Sequence, residues 1–198
     1  MSLYKNIYRI ESHRLKGWDY ANSGCYFLTL CTQNRLHLFG NIKNGKIVLS
    51  KFGQIIYDEW YKSFEMRDEL FAGEFVVMPN HIHGIVILDA HDPVVETHGR
   101  ASLQQEPPLL LKRTPKSISS FVAGFKSATI CEIDNYIDLN QLDIEKFNQK
   151  NRLWQRNYWD RVIRNEKEYE RIAEYIYTNP VNWVNDKLNL DIFPPNNQ

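Results

Sequence analysis

Hydrophobic and polar positions follow two periods along the chain, one typical of strands and one of helices. Residues 24–32 (GCYFLTLCT) alternate well enough for a strand. Residues 36–50 (LHLFGNIKNGKIVLS) predict two short strands joined at Asn44-Gly45, a dipeptide that tolerates the positive φ angles of a tight turn. Residues 76–88 (VVMPNHIHGIVIL) are rich in β-branched residues and predict a buried strand.

Three other segments place apolar residues at helical spacing. Residues 51–66 (KFGQIIYDEWYKSFEM) predict an amphipathic helix, because charges separate Phe52, Ile55, Ile56 and Trp60. Thr114-Pro115 predicts the N-cap and first residue of a second helix. Its apolar stripe is Ile118, Phe121, Val122, Phe125 and Ala128. The last helix is predicted over residues 165–180 (NEKEYERIAEYIYTNP), where Pro180 ends it.

The remaining segments have no sustained period. Residues 89–113 contain three prolines and predict a flexible surface insert. A polar, acidic segment follows the second helix to about residue 149, and residues 186–198 predict a polar tail. The order is strand, β-hairpin, helix, strand, helix, helix, with no internal repeat. It predicts a single α+β domain over residues 1–198, with helices packed on one face of an antiparallel sheet.

Composition and the N-terminal sequence indicate the cellular compartment. No stretch approaches the roughly 18 consecutive apolar residues of a membrane helix, and the first residues, MSLYKNIYRIESHRLKGW, lack an apolar signal core. We therefore expect a cytoplasmic protein. Cys25, Cys31 and Cys131 form no CxxC pair, which predicts reduced core residues rather than disulfides or a zinc site.

The net charge is zero, but lysines and arginines are concentrated in two segments. Residues 152–164 (RLWQRNYWDRVIR) interleave cations with Trp154, Tyr158 and Trp159, a combination suited to phosphate contacts and base stacking. An ordinary solvated surface, with both tryptophans in the core, fits the pattern as well. The residues predicted to bind DNA are Lys112, Arg113, Lys116, Lys126, Arg152, Trp154, Arg156, Arg161 and Arg164.

Two histidines interrupt the apolar strand at residues 76–88. Side chains alternate faces in a strand, so His81 and His83 project from one side, about 7 Å apart at Cα. Two imidazoles at that spacing can converge on one cation, and Gly84 leaves room for a ligand or a backbone to approach. Two hydrogen-bonded histidines on a partly exposed face are the alternative. A third ligand is needed to decide.

The last helix offers a candidate for that ligand. At about 100° per residue, one stripe holds the core residues Tyr169, Ile172, Ala173 and Ile176. Tyr175 and Asn179 lie together on one flank of the stripe, and Tyr177 lies on the other. Asn179 precedes Pro180, so its amide lies at the helix end. Taken alone, Tyr175 fits better as a residue that covers the edge of a core, since most helical tyrosines do so.

These motifs together resemble the REP-associated tyrosine transposases, relatives of the IS200-like single-strand transposases of the HUH class. The resemblance spans most of residues 15–185, in the right order. It depends on GCYFLTLCTQNRLHLFG, VVMPNHIHGIV, SISSFVAGFKSATI and WQRNYWDRVIRNEKEYERIAEYIYTNPV. HxH followed about a hundred residues later by YIxxNP is far rarer than either part. The long insert departs from the family pattern.

The resemblance implies a ferredoxin-like fold, metal ligands His81, His83 and Asn179, and Tyr175 as the nucleophile. It implies a DNA transposase or nickase that cleaves and rejoins single-stranded DNA at REP-like hairpins through a 5′-phosphotyrosine link. Two neutral imidazoles and an amide suit Mg²⁺ or Mn²⁺. A monomer and a homodimer both fit. The alternatives are a non-catalytic protein that binds hairpin DNA and a metal-dependent hydrolase that uses water.

Overall fold

The computed structural model describes residues 3–4, 8–9, 17–89 and 117–189. Its strands and α-helices are, in chain order, β1 (Leu3–Tyr4), β2 (Tyr8–Arg9), β3 (Gly24–Cys31), β4 (Gly40–Lys43), β5 (Lys46–Leu49), α1 (Lys51–Glu65), β6 (Leu70–Val77), β7 (His81–Leu88), α2 (Ile118–Leu139), β8 (Trp159–Ile163) and α3 (Glu166–Thr178). Two short 3-10 turns lie at Gln33–Arg35 and Trp183–Asn185.

The central sheet contains four strands in the order β6-β7-β3-β8, and every neighbouring pair is antiparallel. Because α1 connects β3 to β6 and α2 precedes β8, these elements follow a β-α-β-β-α-β order with β3 and β7 in the middle. This is the ferredoxin-like arrangement. The predicted α+β class with a central antiparallel sheet is therefore confirmed.

The two faces of the sheet are covered by different helices. On one face α1 and α2 enclose the larger core, in which Trp60 and Phe125 pack with Ile82 of β7. On the other face α3 packs Ile172 against Ile85 of the same strand. Successive side chains of β7 point to opposite faces, so one strand serves both cores. The prediction that helices cover one face holds for α1 and α2, and α3 is the exception.

Two of the four sheet strands were not predicted. The pattern over residues 76–88 predicts one strand, but a turn at residues 78–80 divides it, with the Met78 N–H donating to the His81 carbonyl at 2.8 Å. The strand before the turn, β6, has an irregular pattern because its register with β7 shifts between Ala72 and Phe75. The other missed strand, β8, lies in the basic aromatic segment and forms the sheet edge.

The predicted β-hairpin and helices are present with the expected local signals. Asn44 and Gly45 connect β4 to β5 with φ angles of 53° and 70°. Ser50 caps α1 by accepting a hydrogen bond from the Gly53 N–H. The helix α2 begins after Ser117, whose side chain forms a capping box with Ser120. The caps predicted at residues 114–115 lie outside the described residues.

Two interpretations of small residues change. Gly84 faces α1 rather than a ligand, since an added Cβ would lie 2.5 Å from the Trp60 ring. The prediction that the cysteines are core residues holds for Cys31, which is buried, and is wrong for Cys131, which is exposed. The insert beyond Asp89, with Lys112, Arg113 and Lys116, lies outside the described residues. None of the helices in the described ranges is long and apolar enough to cross a membrane.

Candidate active site

The strand β7 brings two imidazoles together at its first and third positions. His81 and His83 pair with Cys31 and Thr29 of β3 and point to the face that α3 covers. Both are buried, with 0% and 3% exposure. Their Nε2 atoms lie 3.1 Å apart. The two rings converge as predicted, and they are buried rather than on a partly exposed face.

Each imidazole is held at its other nitrogen. The Nδ1 atom of His83 lies 2.8 Å from the Thr29 hydroxyl oxygen, and the Nδ1 atom of His81 lies 2.8 Å from Oδ1 of Asn80. Metal-binding histidines usually have such a partner, which fixes the ring and directs the free nitrogen to the ion. Both Nε2 atoms therefore face one shared space.

Burial keeps this pair neutral. It lowers the pKa of His83 to about 3. It also lowers the pKa of His81 well below the usual value, with further contributions from the nearby charges of His83, Arg35 and His37. Neutral imidazole is the form that binds metal. No proton has to be displaced from either ring at neutral pH.

The helix α3 carries Tyr175 to the histidine pair. The Tyr175 hydroxyl lies 3.1 Å from Nε2 of His83, and its ring packs edge-on against Phe27. Burial raises the pKa of this phenol, the charge of Asp186 raises it further, and a hydrogen bond from Asn179 lowers it. Tyr175 is 43% exposed, so part of the side chain reaches solvent beside the histidines.

Asn179 caps the C-terminal end of α3 and is 2% exposed. Its side chain lies close enough to Tyr175 to lower the pKa of that phenol, so it lies beside the histidine pair. Its Oδ1 atom is buried and has no hydrogen-bond partner among the residues that the structure describes. A buried carbonyl oxygen without a partner is costly, and a bound cation would remove that cost.

A carboxylate that the sequence assigned to the polar tail joins the group. Oδ2 of Asp186 lies 4.0 Å from Nε2 of His81. The ligand atoms of His81, His83 and Asp186 all lie within 4.8 Å of one another. The chain returns over the histidines at the turn containing Trp183, whose ring lies 6.0 Å from that of His81. Trp183 was the available signal, because a tryptophan just before a polar tail indicates that the chain packs against the domain at that point.

These donors fit a divalent cation. Metal–nitrogen bonds of roughly 2.0–2.1 Å can reach two nitrogens 3.1 Å apart from a single ion. The carboxylate of Asp186 supplies a negative charge that a cation would balance in a buried position. A mixed nitrogen and oxygen donor set is compatible with Mg²⁺, Mn²⁺ and several other divalent ions.

The strand β8 extends the same face toward the sheet edge. Trp159 pairs with Thr29, and Arg161 pairs with Phe27. Because paired residues share a face, His83, Thr29 and Trp159 form one row, with the outer two roughly 10 Å apart from two strand spacings. Trp159 is 41% exposed. A partly exposed aromatic side chain thus lies in the row of His83, and an arginine lies in the next row, that of Phe27 and Ile85.

The other predicted DNA-binding residues occupy different positions. Lys126, Arg152 and Arg156 line one surface cleft. The ammonium group of Lys126 already donates a hydrogen bond to the Gln155 carbonyl at 2.7 Å. Burial also lowers its pKa to about 8. Arg161 pairs with Glu168 at 2.6 Å, and Arg164 is exposed.

The prediction for Trp154 is wrong. This residue is 3% exposed, and its indole N–H donates to the Thr129 hydroxyl at 3.0 Å within the core between the sheet and α2. Packed in this way it has no free face for a base. Periodicity alone did not distinguish Trp154 from Trp159, because the segment that contains both has no regular pattern.

Fold and site together define a protein with the HUH transposase fold and a histidine–carboxylate cluster. The structure of a REP-associated tyrosine transposase bound to a REP hairpin matches with a TM-score of 0.54 and 20% identity, over 86% of this chain and 74% of that one. At this identity the match shows the fold. The predicted resemblance is confirmed at that level.

The sequence comparison shows one relative, itself uncharacterized. The chain is 34% identical over 188 residues to an uncharacterized protein of Haemophilus influenzae, covering 93% of this chain and 96% of that protein, and it belongs to the same family. No family model matches the chain. A candidate transposase of Deinococcus radiodurans also aligns, at 17% identity over 83% of this chain and 95% of that one, with a TM-score of 0.38.

Proposed function

We propose that this protein cleaves and rejoins single-stranded DNA, with Tyr175 as the nucleophile. The observation that carries the proposal is the 3.1 Å separation of the Tyr175 hydroxyl and Nε2 of His83. It places a phenol oxygen beside nitrogens that can hold a cation. The shared fold with a REP-associated transposase bound to a REP hairpin favours hairpin DNA as the substrate.

The cation would be held by His81 and His83, with Asp186 and Asn179 as oxygen donors. Mg²⁺ and Mn²⁺ suit this site, because they accept oxygen ligands and leave positions for phosphate oxygens. When bound, such an ion neutralises charge on the scissile phosphate and on the departing 3′ oxygen. The protein itself supplies the nucleophile and its alignment.

In the cleavage step the Tyr175 oxygen attacks phosphorus, and the bond from phosphorus to the 3′ oxygen breaks. The products are a 5′-phosphotyrosine link and a free 3′-hydroxyl. Loss of the phenol proton is costly, because burial raises the pKa of Tyr175 above its usual value and His83, with a pKa of about 3, is a weak base. The hydrogen bond from Asn179 favours the phenolate.

In the rejoining step a 3′-hydroxyl attacks the phosphotyrosine and Tyr175 leaves. One phosphate ester replaces another in each step, so the bond energy is conserved and no nucleotide cofactor is required. Transfer to a different 3′-hydroxyl would join two DNA ends. The same residues therefore support both nicking and strand transfer.

The substrate strand would approach across β8. Trp159 offers a partly exposed ring in the row of His83, and Arg161 lies one row along the same face. Stacking of a base on Trp159 would hold the strand beside Tyr175. Arg152, Arg156 and Arg164 would contact the phosphates of the rest of the DNA.

A metal-dependent hydrolase that uses water is the second candidate. Two observations favour it: the raised pKa of Tyr175 and the carboxylate of Asp186 in the donor set. In that reaction water would attack phosphorus and Tyr175 would bind the substrate without forming a bond. The two candidates differ in whether the protein becomes attached to DNA.

The experiment uses single-stranded oligonucleotides copied from imperfect palindromes beside the gene, labelled at the 3′ end and incubated with Mn²⁺. Attack by Tyr175 transfers the label to the protein, which a denaturing gel detects. We expect Tyr175→Phe to abolish this adduct. Tyr177→Phe is the matched control, because Tyr177 lies on the same helix and is 80% exposed.

Cleavage of the oligonucleotide with no labelled protein would contradict the nucleophile assignment and favour the hydrolase. Binding without cleavage for every palindrome would favour a non-catalytic hairpin-binding protein. Equal adduct in Tyr175→Phe and in the wild type would exclude Tyr175 as the attacking residue.

A further inference from the structure

We infer that Asn80 is the positioning residue of this metal centre, because one buried amide orients His81 and holds Asp186 beside it. The inference rests on the proposed metal site. Asn80 is 0% exposed and precedes β7 directly. Its side chain makes three hydrogen bonds, to three separate segments of the chain.

The first step fixes the orientation of the amide. Its nitrogen donates to the carbonyl oxygens of Arg35 at 3.1 Å and Leu188 at 2.7 Å. Carbonyl oxygens only accept, so the nitrogen and oxygen of the Asn80 amide cannot be exchanged. The oxygen, Oδ1, is therefore the atom that lies 2.8 Å from Nδ1 of His81.

The second step follows for His81. Because Oδ1 of Asn80 only accepts, Nδ1 of His81 must carry the hydrogen. In the neutral ring Nε2 then has a lone pair, directed at the shared space. His83 differs, since the Thr29 hydroxyl at its Nδ1 can donate or accept and imposes no tautomer. In the metal-free protein the 3.1 Å contact with Nε2 of His81 then requires the hydrogen on Nε2 of His83. Asn80 is thus the group that imposes a metal-binding tautomer.

The third step connects Asn80 to Asp186. The amide nitrogen of Asn80 holds the Leu188 carbonyl, and the Leu188 N–H donates to Oδ1 of Asp186 at 2.7 Å. This leaves Oδ2 of Asp186 facing His81. Asn189 closes the turn, with its N–H donating to the Asp186 carbonyl at 2.9 Å and its side chain to the Trp183 carbonyl at 3.1 Å.

Two measurements on the full-length protein test the inference. The first is Mn²⁺ affinity, measured by the electron paramagnetic resonance signal of free Mn²⁺. Loss of an outer partner of a metal ligand typically costs about 10–100-fold in affinity, and we expect this loss in Asn80→Ala. In an Asp186→Ala background the same substitution should cost several-fold less, since part of its effect passes through Asp186.

The second measurement is nitrogen NMR of the imidazoles in the metal-free protein. We expect His81 of the wild type to be protonated at Nδ1, and Asn80→Ala to lose this preference. The matched control is Asn140→Ala, because Asn140 also donates its amide to a carbonyl, that of Tyr136 at 2.8 Å, but at the end of α2. Asn80→Ser provides a smaller change if Asn80→Ala does not fold.

The outcomes separate the inference from the proposed function. Failure of the wild type to bind Mn²⁺ would overturn the metal centre itself. Normal Mn²⁺ binding by Asn80→Ala or Asn80→Ser, within twofold of Asn140→Ala, would overturn the positioning role alone. A wild-type His81 protonated at Nε2 in the metal-free protein would also overturn the positioning role.

Discussion

The two histidines of β7 are polar residues in a strand of valine and isoleucine, and every ring nitrogen has a neighbour. Asn80 and Thr29 contact the Nδ1 atoms, and the Nε2 atoms face each other near Tyr175. Burial of a polar group costs free energy unless a partner compensates it. These neighbours compensate the burial of both imidazoles, as expected of a preformed binding site.

The lowered pKa values of the two histidines also predict that the folded protein loses stability as the pH falls. In the unfolded chain both have a pKa of about 6.5, whereas burial lowers the pKa of His83 to about 3 and that of His81 in the same direction. Below pH ~6.5 the unfolded state binds more protons, so the free energy of unfolding falls as pH decreases toward 3. Above that window the contribution is fully present.

Urea unfolding of the metal-free protein between pH 7.5 and pH 5 measures this effect. We expect a loss of roughly 2 kcal/mol from His83 by pH 5, and a smaller loss in His83→Gln. A His83→Gln variant with the same pH dependence as the wild type would contradict the low pKa of His83.

At the scale of elements, pairing register decides which aromatic side chains are accessible. Trp154 and Trp159 lie five residues apart in one basic segment, and no local pattern distinguishes them. Trp154 enters the core and bonds Thr129, whereas Trp159 begins the edge strand β8 and pairs with Thr29 beside His83. The pairing register of β8 depends on tertiary structure, so the local sequence pattern does not predict it.

The exposed ring on β8 gives a prediction for DNA binding. Stacking of one base contributes about 1–3 kcal/mol, so we expect Trp159→Ala to weaken binding of a single-stranded oligonucleotide about fivefold or more, and Trp159→Phe to retain most of it. Fluorescence anisotropy measures both.

Phe71→Ala is the matched control for Trp159→Ala, because Phe71 is 52% exposed on β6, at the opposite edge of the same sheet. Stacking is less sensitive to salt than phosphate contacts are, so the effect should persist at higher ionic strength. Equal effects of Trp159→Ala and Phe71→Ala would contradict a stacking position at β8.

At the scale of the whole molecule, the order of motifs predicts the fold and every residue of the candidate site except Asp186. The HxH pair and the last helix are visible in sequence because both follow a local period. Asp186 is not, because its position depends on a turn at Trp183 and on a contact between Asn80 and Leu188, which are 108 residues apart. The strands β6 and β8 are missed for a related reason, since a bulge and an edge position disturb their alternation.

The fold also assembles the site within one chain. The helix α3 packs on β6 and β7, and this packing brings Tyr175 of the last helix to His83 of the sheet, 92 residues earlier. No second subunit is needed to complete the group of imidazoles, carboxylate and phenol. The account therefore depends on Tyr175 acting as the nucleophile in a site formed by a single chain.

Mass spectrometry of the protein–DNA adduct tests that claim most directly. After reaction with Mn²⁺ and a hairpin oligonucleotide, nuclease and trypsin digestion should leave a nucleotide on the peptide IAEYIYTNPVNWVNDK, residues 172–187, which contains both Tyr175 and Tyr177. We predict that fragmentation places the added mass on Tyr175. Added mass on Tyr177, or an unmodified peptide from a reaction that has cleaved its DNA, would contradict the account.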